Sequence, residues 1–244
     1  MKRIYIVVTS FLLMMGGVIN MPASAQDTVN NKLQAKKATF AQKANAQKQA
    51  DYEEGIKQVR ASGVLERAKT VGDKAPDFTL SNAVGANFSL QNALANGPVV
   101  LIWYRGEWCP YCNIYLNEVQ KQADEFSQYN ATIIAVSPAM PSQSWGTQDK
   151  QDLKIQVLSD KGSKVAEEYG VVYTLPPKIA AYYQQAFDLT NVNEDERSVL
   201  PLSASYVIDQ NSTITYAYLN ADYRERAEIS DLLRAVKNIS KENK

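Results

Sequence analysis

The apolar residues of the chain are concentrated most strongly in residues 98–104, which read Pro-Val-Val-Leu-Ile-Trp-Tyr. A strand without polar alternation is typical of the middle of a parallel or mixed sheet, because both of its faces are covered. A helical pattern follows, with apolar residues recurring along one face at a period of about 3.6 residues: Cys112, Tyr115, Leu116, Val119, Ala123 and Phe126. The sequence therefore predicts a buried central strand that turns directly into an amphipathic helix.

Weaker patterns before and after this pair predict the rest of an α/β domain. Residues 78–80 and 88–90 are predicted to form a hairpin across a turn that contains glycine. Downstream, the patterns predict strands at 131–137 and 155–158, a short helix at 163–169, a hairpin of 205–209 with 213–218, and a last helix at 229–239. Residues 142–153 have the pattern of a polar helix, and residues 176–196 look like an insertion, with a helix at 178–187 followed by an acidic loop. This order predicts an α/β fold with a mixed central sheet flanked by helices.

The first 25 residues have the organisation of a secretory leader. Lys2 and Arg3 precede a mostly apolar stretch at 4–18, and Ala23-Ser24-Ala25 fits a signal-peptidase cleavage site. The apolar stretch is interrupted by polar residues and glycines, and it is short for a membrane span. We therefore predict a signal peptide at 1–25, export to the periplasm or the extracellular space, and no stable membrane insertion.

Two further regions follow the predicted leader. Residues 26–70 are rich in Lys, Gln and Ala with widely spaced apolar positions, which predicts a polar, helical N-terminal extension with a thin docking face. A partly disordered spacer is the alternative for the first half of this extension. Residues 71–244 contain the strand and helix patterns of the predicted compact domain.

The composition of the chain excludes several classes of function. The 244 residues include two cysteines, no histidine, and 26 basic against 26 acidic residues. This balance of charge offers no basic footprint for a nucleic acid. The lack of histidine excludes Ser-His-Asp and Cys-His hydrolases as well as histidine-ligated metals. We predict neither a cofactor nor a bound metal ion.

The two cysteines, Cys109 and Cys112, lie at the predicted strand-to-helix turn. Pro110 suits the first helical position, where its missing N–H would have had no partner. Cys109 then lies among unpaired N–H groups at the positive end of the helix dipole, which favours the thiolate. Cys112 lies one turn inside the helix, within reach of a disulfide after a small local shift. The pattern predicts a redox pair in which Cys109 is the exposed attacking thiol with the lower pKa and Cys112 the sheltered resolving thiol, with Arg105 adding positive charge.

Two less favoured interpretations compete with the redox pair. A Cys-x-x-Cys motif is half of many zinc sites, but structural zinc requires four protein ligands, and this chain has no histidine and no second cysteine pair. A purely structural disulfide is the other possibility. It would close too small a loop to contribute much stability through chain entropy.

Residues 103–113 read WYRGEWCPYCN. This motif resembles the active-site signature of the peroxiredoxin-like branch of the alkyl hydroperoxide reductase/thiol-specific antioxidant (AhpC/TSA) superfamily. Segments similar to the same branch occur in the same order along the chain, at 71–80, 135–138, 157–160, 205–209 and 222–226. The resemblance implies a thioredoxin-like, peroxiredoxin-type fold. It also implies thiol chemistry on a hydroperoxide substrate, with recycling by a thioredoxin-like dithiol donor.

The resemblance implies roles for individual residues of this chain. Cys109 and Cys112 correspond to the catalytic pair. A second group of residues is expected to shape the site: Arg105, Trp108, Pro110, Tyr111 and Ser203.

The chain departs from the typical peroxiredoxin and thioredoxin patterns at defined positions. Ile102 and Gly106 stand where typical peroxiredoxins carry a proline and a threonine, and the strand near Tyr206 lacks the arginine that they bring to the cysteine. Ser203 occupies the place of the cis-proline of thioredoxins. A cis peptide before a non-proline residue costs about 3–4 kcal/mol, so we expect a trans peptide there. The missing donors predict slow peroxide reduction unless Arg105 and backbone N–H groups replace them.

Three functions remain compatible with the sequence. The first is a thiol peroxidase that cycles through a Cys109–Cys112 disulfide. The second is an exported thiol-disulfide oxidoreductase that acts on protein disulfides. The third is a binding or scaffold protein on a redox fold, for which the extension and the insertion would serve as docking elements.

Overall fold

The computed structural model describes residues 28–145 and 153–242. The helices are α1 (Val29–Lys43), α2 (Ala46–Ala61), α3 (Val64–Arg67), α4 (Leu90–Asn96), α5 (Pro110–Ser127), α6 (Lys164–Glu168), α7 (Pro177–Phe187), α8 (Leu189–Asn193) and α9 (Ile229–Glu242). The strands are β1 (Thr79–Asn82), β2 (Asn87–Ser89), β3 (Val99–Trp103), β4 (Thr132–Ser137), β5 (Gln156–Ser159), β6 (Val172–Thr174), β7 (Val199–Pro201), β8 (Ser203–Ile208) and β9 (Ile214–Asn220). The predicted signal peptide lies outside the described residues.

The predicted mixed central sheet, flanked by helices, is confirmed. Seven strands form it in the order β2-β1-β5-β4-β3-β8-β9. β3 lies inside the sheet, parallel to β4 and antiparallel to β8, with Leu101 opposite Ile134 and Tyr206. All five residues of β3 are buried, as its unbroken apolar run predicts. The predicted N-terminal hairpin is present, with Leu80 of β1 opposite Phe88 of β2.

Successive residues of β3 enter two different hydrophobic cores, because side chains alternate across a strand. Val99, Leu101 and Trp103 join a core with residues of α4, α7 and β8. The other core holds Val100, Ile102 and the buried face of α5. The six residues of α5 whose spacing predicts one helical face are all buried. The strand-to-helix turn thus leads directly into the second core.

The N-terminal extension consists of helices that pack onto the domain. Val29 and Leu33 of α1 enter the core that contains α5. α2 buries Ile56 and Val59, and its Gly55 lies against α7, where an added Cβ atom would come within 2.7 Å of Ile179 Cγ1. Because α1 and α2 bury few apolar residues, polar contacts also hold these helices against the domain.

The segment between α6 and β8 contains elements that the hydrophobic pattern does not predict. β6 and β7 pair antiparallel and enclose α7 and α8. The predicted helix at 178–187 matches α7, whereas part of the expected acidic loop is the short helix α8. The prediction of a polar helix at 142–153 is wrong at its start, because residues 141–143 form a 3₁₀ turn and Ser144 is extended. Residues 146–152 lie outside the described part. No helix within the described ranges is long and apolar enough to cross a bilayer.

Candidate active site

The two cysteines lie where β3 gives way to α5. Pro110 is the first residue of α5, and Cys109 is its N-cap, in an extended backbone conformation. The N–H of Cys109 donates to the carbonyl of Gly106 at 3.1 Å, which closes a tight turn before the helix. Cys112 lies in the first turn of α5, so the helix start holds both sulfurs on the same side of the turn. Both thiols are free in this structure.

Cys109 receives two hydrogen bonds that favour its thiolate. Arg105 Nη2 lies 3.4 Å from Cys109 Sγ, and the backbone N–H of Cys112 donates to the same sulfur, also at 3.4 Å. These are the two kinds of donor named above as possible replacements for the missing donors of typical peroxiredoxins. The expectation that Cys109 is exposed is wrong, because both cysteines are fully buried. The physical reason is that Cys109 lies within the hydrophobic core of α5, and the buried Arg105 guanidinium contacts its sulfur.

The pKa values of the two thiols are shifted in opposite directions. Burial alone would raise the pKa of Cys109, but the hydrogen bond with Cys112 and the positive charges of Arg105 and Arg226 outweigh it and hold this pKa well below its usual range. Burial, the hydrogen bond with Cys109 and the charge of the Cys109 thiolate raise the pKa of Cys112 well above its usual range. The directions agree with the sequence-based prediction, although neighbouring side chains contribute as well as the helix terminus.

The Arg105 guanidinium is held by aromatic side chains. It is 3% exposed, its Nη1 donates to the hydroxyl of Tyr183 at 2.8 Å, and its Cζ lies 3.6 Å from the ring centroid of Tyr223. The ring of Trp108 lies 5.0 Å from the same atom. Within the described part of the chain, Arg105 forms no ion pair with a carboxylate. A buried cation of this kind needs an anion, and the Cys109 thiolate supplies it.

A second guanidinium, which sequence reasoning missed as a site residue, lies beside the other thiol. Arg226 is 2% exposed, and its Nη2 lies 3.2 Å from Cys112 Sγ. It belongs to residues 222–226, one of the segments through which the sequence resembles the AhpC/TSA branch. That resemblance was the available indication, but nothing in the spacing of this segment shows which thiol its arginines approach.

The other residues expected to shape the site take different places. Trp108 stacks on Phe187 of α7, with ring centroids 4.9 Å apart, and Tyr111 meets Tyr223 edge to face at 5.6 Å. Ser203 is buried but bonds away from the thiols: its hydroxyl donates to the carbonyl of Glu225 at 2.6 Å. Ser203 therefore fixes the backbone next to Arg226. No peptide bond in the described residues is cis, in agreement with the trans peptide expected before Ser203.

Gly106 is required by the conformation of the turn and by Trp108. Its φ of +143° lies in the region that side chains with a Cβ rarely adopt, and an added Cβ would lie 2.4 Å from Trp108 Nε1. The threonine that typical peroxiredoxins carry at this position therefore cannot coexist with Trp108 in its present place.

We expect Gly106→Thr to destabilise the protein by about 1–3 kcal/mol, because it combines backbone strain with overpacking. Equilibrium unfolding in denaturant would measure the loss, and tryptophan fluorescence would report displacement of Trp108. Gly162→Thr is the matched control, since Gly162 has a φ of +76° but a Cβ added there meets no atom within 4 Å. Equal losses in the two variants would show that the Trp108 contact is not the reason for glycine at position 106.

A small cavity ends on Arg105. It has about 20 Å³ of accessible space, roughly what one or two molecules the size of water need. Tyr52 and Val59 of α2 line it on one side, and Ile179 of α7 and Tyr223 on others. The extension and the insertion thus form the walls of the space nearest the guanidinium. Within the described ranges, no cluster of side chains has the composition of a metal site.

Comparisons with known proteins agree with this geometry. Residues 71–217 match the profile of the AhpC/TSA family. The chain is 26% identical over 163 residues to the chloroplastic peroxiredoxin Q of Gentiana triflora, an alignment that covers 67% of this chain and 64% of the gentian protein, less than two thirds of its length. It is 24% identical over 179 residues to the wheat (Triticum aestivum) peroxiredoxin Q, with 73% and 72% of the two chains covered.

Solved structures show the same fold. The peroxidoxin BcpB of Mycobacterium tuberculosis superimposes with a TM-score of 0.54 at 21% identity, over 70% of this chain and 97% of that one. The reduced 2-Cys peroxiredoxin of Plasmodium vivax gives a TM-score of 0.54 at 17% identity, over 72% and 84%. At these identities the structures establish the thioredoxin-like, peroxiredoxin-type fold and not the activity. With the family profile matching more than half of its residues, the chain belongs to the AhpC/TSA family.

Proposed function

We propose that this protein is a thiol peroxidase in which Cys109 reduces a hydroperoxide and Cys112 resolves the product. The observation that carries the proposal is the state of Cys109: a fully buried thiol in contact with a guanidinium and a backbone N–H. In this conformation burial keeps any folded protein, whether substrate or reductant, away from the sulfur, whereas hydrogen peroxide is small enough for the cavity that ends on Arg105, which contacts Cys109. Membership of the AhpC/TSA family and the similarity to peroxiredoxin Q proteins support the same reaction.

The residues of the site provide for each step of this reaction. The Cys109 thiolate attacks the terminal oxygen of the hydroperoxide, an S–O bond forms as the O–O bond breaks, and the leaving alkoxide or hydroxide takes a proton. The Arg105 guanidinium and the N–H of Cys112 lie where negative charge moves from the sulfur to the peroxide oxygens. Cys112 then attacks the Cys109 sulfenic acid. The S–S bond forms, the S–O bond breaks, and water leaves, so that the two thiols have supplied two electrons.

A thioredoxin-like dithiol is the proposed electron donor, because the resulting disulfide must be reduced by thiol exchange before another cycle. Export to the periplasm or the extracellular space is also part of the proposal, on the strength of the residues 1–25 alone. N-terminal sequencing of the protein recovered from an exporting bacterial host tests the proposed export. We expect Gln26 as the first residue, and Met1 retained in a membrane fraction would contradict it.

Rapid mixing of the reduced protein with two oxidants tests the activity. We expect hydrogen peroxide to oxidise Cys109 faster than the disulfides of insulin do at equal concentration, as followed by tryptophan fluorescence and by loss of free thiol. The reverse order would overturn the peroxidase and favour a thiol-disulfide oxidoreductase. Oxidation by neither reagent would favour a scaffold.

A further inference from the structure

Arg226 has a contact that the attack on peroxide does not explain. Its Nη2 lies 3.2 Å from the sulfur of Cys112 rather than from Cys109, and its Cζ lies 5.9 Å from the ring centroid of Tyr115. Its other terminal nitrogen donates to the carbonyl of Glu225 at 3.3 Å. Both the guanidinium and the sulfur are buried, so water does not screen the pair.

The reduced site has more positive than negative charges. Arg105 and Arg226 are both buried, and within the described ranges neither forms an ion pair with a carboxylate. Arg224 of the same loop differs, since it is paired with Asp222 and Glu53. One thiolate, on Cys109, faces the two unpaired guanidinium groups. The site therefore has a surplus positive charge, and that charge lies beside Cys112.

Oxidation of Cys109 changes the surroundings of Cys112. Before oxidation, burial, the hydrogen bond with Cys109 and the Cys109 charge keep Cys112 protonated, while Arg226 and Arg105 act against them. A sulfenic acid carries no charge at neutral pH, so its formation removes the repulsion between the two sulfurs. Among the described residues, the Tyr104 hydroxyl also interacts electrostatically with Cys112, and burial raises the pKa of Tyr104 to about 12.

We propose that Arg226 is a catalytic residue of the resolving step, in which it stabilises the Cys112 thiolate once Cys109 has become a sulfenic acid. The proposal rests on the peroxidase function above and assigns the second of its two chemical steps. The Cys112 thiolate attacks the Cys109 sulfur, the S–S bond forms as the S–O bond breaks, and the proton that Cys112 gives up ends on the leaving hydroxide, which departs as water. In this order the first oxidation itself activates the resolving thiol.

The N-terminal extension holds the loop that carries Arg226. Asn30 of α1 donates to the carbonyl of Arg226 at 3.3 Å and to Glu228 Oε1 at 2.9 Å. From α2, Glu53 accepts two hydrogen bonds from Arg224, at 2.6 and 3.1 Å. Asn30 of α1 and Glu53 of α2, both distant from this loop in the sequence, thus hold the loop in place. The extension is in this way a positioning element for the resolving step.

Stopped-flow kinetics of the full-length reduced protein tests the assignment, because sulfenic acid formation and disulfide closure give separate phases. We expect Arg226→Gln to slow closure at least about tenfold, since each unit by which a thiol pKa rises lowers its thiolate fraction about tenfold. The pH midpoint of closure should move upward, and trapping of Cys109 by dimedone should increase. Arg226→Lys keeps the charge and should restore part of the rate. Arg234→Gln on the exposed face of α9 is the control and should leave both phases unchanged.

A matched pair on α2 tests the positioning role. Glu53→Gln weakens the contact with Arg224 and should slow closure by about threefold with the first phase unchanged, whereas Glu54→Gln, at the next position of the same helix, should change neither phase. Closure at the parental rate and pH midpoint in Arg226→Gln would overturn the inference while leaving the peroxidase intact. Absence of the first phase in the parental protein would instead overturn the proposed function itself.

Discussion

Cys109→Ser is expected to abolish peroxide consumption, whereas Cys112→Ser is expected to complete a single turnover. A serine hydroxyl at position 109 cannot be held as the anion at neutral pH, so no nucleophile remains for the peroxide oxygen. In Cys112→Ser the Cys109 sulfenic acid forms but has no partner thiol, and it persists until it is trapped. Both thiols are free and adjacent in this structure, so neither substitution has to break a disulfide.

Mass spectrometry after treatment with dimedone provides the measurement. We expect one adduct, on Cys109, in Cys112→Ser after one equivalent of hydrogen peroxide, and none in Cys109→Ser. Continued multiple turnover in Cys112→Ser, with a thioredoxin-like donor, would show that Cys112 is not required for resolution. Mixed disulfides with other proteins in place of the sulfenic acid would favour the disulfide oxidoreductase.

Arg105→Ala is expected to lower the second-order rate of peroxide reduction by about 10²–10³-fold, the usual cost of removing one preorganised donor at a reacting oxygen. It should also raise the pKa of Cys109, because the Arg105 charge and hydrogen bond favour the thiolate. At a fixed neutral pH less thiolate is then present. The loss should therefore be largest at low pH and become smaller as the pH rises.

Peroxide reduction rates measured across pH, with thiolate absorbance in the ultraviolet, check both effects. Arg105→Lys should be intermediate, since it keeps a positive charge but cannot donate from two nitrogens to Tyr183 and Cys109 as Arg105 does. Arg60→Ala, at an exposed position of α2, serves as the control. An unchanged rate and pH profile in Arg105→Ala would show that this guanidinium stabilises neither the thiolate nor the charge that develops on the peroxide.

The strand and helix at the centre of the fold could be predicted from the sequence because their patterns are local. The unbroken apolar run of β3 and the helical spacing of α5 each reflect one element and the core that covers it. The place of Cys109 and Pro110 at the helix start followed from the same local reasoning. β6 and β7 were not predicted, because each is only three residues long and is a strand only through its pairing with the other.

The rest of the site depends on contacts between distant residues, which no local pattern contains. Tyr183 is 78 positions from Arg105, and Arg226 is 114 positions from Cys112. The burial of Cys109 has the same origin. The widely spaced apolar positions of the extension predict a thin docking face, but not which core Val29 and Leu33 of α1 enter.

The absence of a side chain at Gly55 has a consequence for the rate at which large partners reach the thiols. α2 packs closely against α7 there, and Asp51 of α2 accepts hydrogen bonds from Lys178 at 3.0 Å and Tyr182 at 2.7 Å. We therefore expect α2 and α7 to open as one cooperative unit, with a shared free energy in amide hydrogen exchange. If the proposed reductant is a protein and reaches the thiols only when this unit is open, each additional 1.4 kcal/mol or so of opening free energy slows reduction about tenfold. The stability of this helix pair would then set the pace of recycling.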